Sequence, residues 1–208
     1  MTLTLILILL TVGISMYAWS NQELMNNWIF HPYSVAKKHQ YYRFITSGFL
    51  HADWTHLLFN MFSFYMFAQV VEVRLNSIYG MQKAGLFFLM IYIGGIIVSD
   101  IYTFFKERNN RNYQALGASG GVSAIIFASI LLNPLSKIII FPVPFGIPGF
   151  VFGFLYLIYS YFQAKRMGDN INHDAHFYGA VFGFLLAIFL VPGSLPEFIG
   201  QIQHWRIF

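Results

Sequence analysis

Apolar and polar positions alternate along this chain in long blocks. Six blocks, at 2–19, 55–73, 81–105, 116–132, 149–163 and 174–191, are apolar enough to be read as membrane-crossing helices. Most connections between them are short. The exception is 20–53, which mixes Trp28, Tyr33, Tyr41 and Tyr42 with Lys37, Lys38 and Arg43 and leads into Trp54. Aromatic rings among basic side chains suit the headgroup layer, so the pattern predicts a partly helical segment lying in the interface. Between the fourth and fifth blocks the prolines of Phe141 to Pro148 stop helix, and their apolar neighbours keep that turn against the membrane.

With 57% hydrophobic and 10% charged residues and a mean hydropathy of +0.59, the composition excludes a soluble domain of 208 residues. The prediction is an all-α membrane protein, one domain over 1–208, with six spans. The opening block lacks a basic leader and a small-residue cleavage site, so it reads as a retained first span. The net charge of +4 comes from basic residues scattered between spans rather than from a stripe, which argues for lipid headgroups and against nucleic acid. Without cysteine, disulfides and thiolate metal sites are excluded.

Helices two, four and six begin at the same surface when the spans alternate in direction, and polar residues cluster at those three beginnings. The fourth carries Gly117-Ala-Ser119-Gly120-Gly121, with Ser119 about one turn inside the block. There, unpaired backbone N–H groups and the positive dipole end suit a developing oxyanion. The sixth carries His176, and the second carries His56 and Asn60, four residues apart on one face. Small residues recur at Ala175, Gly179, Gly183 and Ala187, and again at Gly120, Ala124 and Ala128, so these two faces are expected to pack and bring Ser119 and His176 to one depth.

Each feature alone also reads as helix packing or interhelical hydrogen bonding. Their coincidence at one level favours catalysis: Ser119 as nucleophile, His176 as general base, and the Ser119 N–H, His56 and Asn60 as oxyanion donors. The soluble nucleophile elbow also fits Gly117-x-Ser119-x-Gly121, but it needs a preceding strand and a parallel sheet. Asn172 or Asp174 is expected to cap the sixth helix, and the preferred role for Asp174 is that cap, because two residues apart on a helix it faces away from His176. His51, Asn170, Asn172 and His173 are expected to line a water cavity. Glu72 and Arg74 read as an ion pair or interface anchors, Asp100 as interfacial, and the aromatic fifth span as lipid and core packing.

His51-x4-His56-x3-Asn60, Gly117-Ala-Ser119-Gly120 and Ala175-His176-x-x-Gly179, in this order, resemble the rhomboid family of intramembrane serine proteases in its minimal six-helix form, over nearly the whole chain. The resemblance implies a six-transmembrane-helix rhomboid-like bundle with a long interfacial loop between helices 1 and 2. It implies Ser119 and His176 as a catalytic dyad, His56 and Asn60 at the oxyanion, and support from His51, Gly117 and Gly120, with Gly179 and Gly183 packing the helices. It further implies transmembrane protein substrates, no metal or organic cofactor, helix five and the 165–172 loop as gate and cap, and a cell-membrane protein whose site opens to the non-cytoplasmic side.

Two features depart from the family. Ser123 stands one turn after Ser119, where several bacterial members carry an aromatic residue that stacks on the histidine. The connections on the site side hold eight Lys and Arg against four on the other, so the positive-inside rule points the opposite way. The alternatives are an inactive rhomboid-like protein that binds membrane clients and a metal-binding protein using His51, His56, His173, Asp174 and His176.

Overall fold

The computed structural model describes residues 2–139, 145–166 and 172–206. Its helices are α1 (Leu3–Ser20), α2 (Gln22–Trp28), α3 (Pro32–Lys38), α4 (Arg43–Thr46), α5 (Trp54–Glu107), α6 (Ser119–Leu132), α7 (Gly149–Arg166), α8 (His173–Leu190) and α9 (Ser194–Gln203). Two short antiparallel strands, β1 (Lys137–Ile138) and β2 (Ile147–Pro148), flank the turn before α7. The turn residues 140–144, and Asn170 with most of the 165–172 loop, lie outside the described residues.

The 54 residues of α5 would make a rod about 81 Å long, with Phe64 and Tyr92 about 42 Å apart, if they ran straight. Their rings lie 4.5 Å apart instead, because the chain folds back at Gly80, whose φ of 71° and ψ of 163° no helix accommodates. Each arm of this hairpin is about 39–40 Å long, enough to cross a bilayer. The polar gap expected from 74 to 80 therefore shrinks to one residue, the helix carrying through to Tyr79.

Among the described residues α1, α5 and α8 are long and apolar enough to cross a membrane, and α6 and the 149–164 part of α7 are shorter apolar helices. Every residue of α6 from Gly120 to Leu131 is buried. A helix apolar on all sides belongs at the centre, and α6 is packed between the second arm of α5 and α8. Small residues set these contacts. Gly95 lies on Ala124, Gly121 on the Tyr92 carbonyl, Gly179 on the Gly120 carbonyl and Gly183 on the Ala124 carbonyl. In the last two pairs the residue numbers rise together, so α6 and α8 run parallel.

Several polar residues differ from their sequence-based reading. Glu72 does not pair with Arg74; its carboxylate accepts from the Leu3 N–H at 2.9 Å and the Thr4 hydroxyl at 2.6 Å, closing the positive N-terminus of α1. Arg74 instead meets Glu197 of α9 at 3.1 Å. Asp100 is buried within α5 rather than interfacial, since α5 continues seven residues beyond it to Glu107. In the 20–53 connection Arg43 is 5% exposed, and its guanidinium donates to the Asn26 and Ile29 carbonyls and to Gln40. It braces that segment internally and is withheld from lipid headgroups.

Candidate active site

The segment leading into α6 is fixed strand-like by its neighbours. Phe30 and Ala115 exchange both backbone hydrogen bonds, at 2.9 and 3.0 Å, and the Gly117 N–H donates to the Ser47 carbonyl at 3.0 Å. The Ala118 N–H then points at His51 Nε2, at 3.4 Å. Gly117 has φ of 127°, a conformation that favours glycine, and the His56 ring lies so close that a Cβ there would come within 2.8 Å of it. These two demands stop the helix from beginning at Leu116. Hence α6 starts at Ser119 itself, rather than a turn earlier as its apolar block implied.

At that first position the N–H groups of Ser119, Gly120 and Gly121 have no intrahelical acceptor, and the dipole end is positive. Only 14 residues long, α6 measures about 21 Å against about 30 Å of hydrocarbon.

His51 does not line a wet cavity. It is 0% exposed, its Nδ1 lies 3.0 Å from Ser15 Oγ, and the Trp19 indole donates to its carbonyl at 2.7 Å. Because Nε2 accepts from Ala118, the ring proton resides on Nδ1 and is donated to Ser15 Oγ, which passes its own to the Phe49 carbonyl at 2.9 Å. Burial, with His56 alongside, outweighs Asp53 and holds the His51 imidazole down at about 3. His51 is thus a neutral strut between α1 and the loop before Ser119.

Asp53 caps α5, accepting from the His56 N–H at 2.8 Å. His56 Nδ1 faces the Ala52 N–H at 3.5 Å, which leaves the ring proton on Nε2, beside Gly117. Asn60 is 5% exposed, and its amide donates to the His56 carbonyl one turn earlier, at 2.9 Å. Among the described residues no hydrogen bond joins Ser119 to His56 or Asn60.

The start of α8 is fixed from α5. Asn172 caps it, accepting from the Ala175 N–H at 3.1 Å and donating to Thr103 Oγ1 at 3.1 Å. Asp174 does not cap; it pairs with Lys106 at 2.9 Å, because Asn172 already occupies the capping position. The Gly120–Gly179 and Ala124–Gly183 contacts set a constant register, which puts His176 about 3 Å further out along the helix axes than Ser119, within one turn. Around His176, the Tyr156 ring is stacked at 6.3 Å and 20°, and His173 meets it edge-on at 5.8 Å. His173 is buried and packs edge-on against Tyr159 at 5.6 Å.

The sequence reading missed both tyrosines. A signal was present, since a tyrosine hydroxyl in an apolar helix needs a partner; Tyr156 finds Ser123 Oγ at 2.8 Å. Among the described residues no three His, Asp or Glu side chains are grouped to hold a metal ion.

A family model described as Rhomboid domain matches residues 38–193. The chain is 32% identical over 161 residues to "Putative rhomboid protease YdcA" of Bacillus subtilis, covering 73% of this chain and 68% of that protein. It is 27% identical over 188 residues to "Rhomboid protease GlpG" of Photorhabdus laumondii, covering 90% of this chain and 60% of that one. With "RHOMBOID-like protein 12, mitochondrial" of Arabidopsis thaliana it shares 25% over 176 residues, 77% of this chain and 49% of that protein. The chain therefore spans about half to three fifths of the length of these last two relatives.

Proposed function

Because the chain belongs to the rhomboid family, we propose that it is an intramembrane serine endopeptidase, hydrolysing peptide bonds in or near transmembrane segments of other membrane proteins. Six crossings, made by α1, the two arms of α5, α6, α7 and α8, form the bundle. Its site opens to the non-cytoplasmic side of a cell membrane. One observation carries the reading: α6 and α8 run parallel in glycine-set contact, so Ser119 and His176 start their helices at nearly one level.

The chemistry follows from the atoms at that level. Ser119 Oγ attacks the scissile carbonyl as His176 takes its proton. Negative charge develops on the carbonyl oxygen at the mouth of α6, where the Ser119 N–H, the His56 Nε2–H and the second Asn60 amide proton stabilise it. The imidazolium then protonates the leaving amine, and the C–N bond breaks to leave an acyl-enzyme. Water enters from the near surface and attacks the acyl carbon as His176 takes its proton; the C–Oγ bond then breaks, the imidazolium returns the proton to Ser119 Oγ, and the acid product leaves. No metal or organic cofactor takes part in these steps.

Treating the detergent-solubilised protein with a fluorophosphonate and locating the adduct by mass spectrometry tests this reading without a substrate. Labelling at Ser119 that vanishes in His176→Ala and survives EDTA is the expected result. No adduct on folded protein, across several probes, overturns the hydrolase reading in favour of a client-binding rhomboid-like protein. Loss of labelling with EDTA would point to a metal instead.

A further inference from the structure

Tyr156 of α7 stands between the two candidate catalytic helices. Its hydroxyl is 2.8 Å from Ser123 Oγ, and Ser123 lies one turn after Ser119 on the same face of α6. Its ring lies over His176 of α8, with centroids 6.3 Å apart and planes within 20°, the range of an offset stack. Three residues on, Tyr159 abuts His173 of α8 at 5.6 Å and 84°, and His173 in turn abuts His176 at 5.8 Å and 79°. Phe127 and Phe152 pack on the Tyr156 ring at 5.6 and 5.8 Å, holding it from below.

We infer that Tyr156 is the positioning residue for the His176 imidazole, with its ring stacked on the base and its height set by the hydroxyl contact to Ser123. The hydroxyl is satisfied by a short, uncharged side chain that α6 presents at this turn. A bulkier residue in place of Ser123 would displace Tyr156. The support that α6 does not itself give the imidazole thus comes from α7, and the position of α7 is coupled to the orientation of the base. This inference rests on the reading of Ser119 and His176 as a catalytic pair.

The test compares rates of fluorophosphonate labelling at Ser119, with thermal melts in the same detergent confirming that each variant is folded. Tyr156→Ala is expected to slow labelling about 3- to 10-fold, the effect of losing one aromatic pair. Tyr156→Phe keeps the stack and stays within about twofold of the wild type, because it loses only hydroxyl contacts. Ser123→Ala should be no slower than Tyr156→Phe, and the double variant no slower than Tyr156→Phe alone, since the bond that Ser123→Ala removes is already absent there. If Tyr156→Ala does not fold, Tyr156→Leu replaces it, being of similar bulk without a flat ring. Wild-type rates in Tyr156→Ala or Tyr156→Leu, or a loss that Phe does not rescue, overturn the inference while labelled wild-type protein leaves the protease reading standing. Unlabelled wild-type protein overturns both.

Discussion

Two polar clusters, one beside the start of α6 and one beside the turn at Gly80, handle their side chains in opposite ways. Where α6 begins, His51, Arg43 and Asn60 are buried and bonded to backbone: His51 to the Ala118 N–H of the loop that delivers Ser119, Arg43 to the Ile29 carbonyl, and Asn60 to the His56 carbonyl of its own helix. Where α5 turns at Gly80, Arg74 and Glu197 pair at the surface with side chains 40% and 56% exposed. The difference follows from helix length. The central helix, at about 21 Å, is shorter than about 30 Å of hydrocarbon, and polar groups packed beside the start of such a helix must be buried with their hydrogen bonds made, whereas an exposed pair has water as its alternative partner.

The largest effects should separate chemistry from fold at the buried cluster. Ser119→Ala or His176→Ala is expected to lower peptide hydrolysis by at least about a thousandfold, with the melting temperature little changed. Assaying cleavage of a transmembrane test substrate beside thermal melts checks this; activity persisting in Ser119→Ala would remove that cluster's claim to chemistry. Gly179→Val should act through the fold instead, forcing α8 off the Gly120 carbonyl at a cost of about 1–3 kcal/mol in stability. Wild-type stability in Gly179→Val would break the argument that glycine contact sets the level of Ser119 and His176.

His51 sharpens the comparison through pH. Its pKa is about 3 in the folded protein against 6.5 for the free side chain, so the unfolded state binds more protons between those values and stability rises with pH there. The contribution is complete above about pH 6.5 and is lost as pH falls towards 3, with a limiting slope of about 1.4 kcal/mol per pH unit. Protonation also puts a hydrogen on Nε2, facing the Ala118 N–H donor. In His51→Gln this part of the pH dependence should vanish, as melts between pH 7 and pH 4 would show. An unchanged slope in that variant would mean that other groups carry the acid sensitivity.

Much of this was legible in the sequence. The apolar blocks overlap α1, both arms of α5, α6, α7 and α8, although the second block ends six residues short of Tyr79 and no block covers α9, and four-residue spacing of small side chains marked faces at Gly120, Ala124, Gly179 and Gly183 that lie in contact. The errors share a cause: hydropathy registers what a residue is, and the contacts were set by what lies across from it. Gly117 stops α6 because His56 lies against it, and Glu72 turns from Arg74 because the N-terminus of α1 lies within reach. By sequence Tyr156 is one more aromatic residue in a span given to lipid and core packing; its partners, Ser123 at the hydroxyl and His176 at the ring face, come from two other helices.

The smallest effect belongs to the exposed cluster. Removing the Arg74–Glu197 pair with Arg74→Ala is expected to cost less than about 1 kcal/mol, because water and salt screen an exposed ion pair and two long side chains must be ordered to make it. Glu72 lies nearby in sequence but has a different position in the structure, its carboxylate spanning two groups at the start of α1. Glu72→Gln should therefore cost more than Arg74→Ala in melts of the two single variants. Raising salt from 0.05 to about 1 M shortens the screening length to about 3 Å and should erase the Arg74 effect while leaving most of that at Glu72. Were Arg74→Ala the costlier change, exposure would not be what distinguishes the two clusters, and the contrast drawn from helix length would fail at its weaker side.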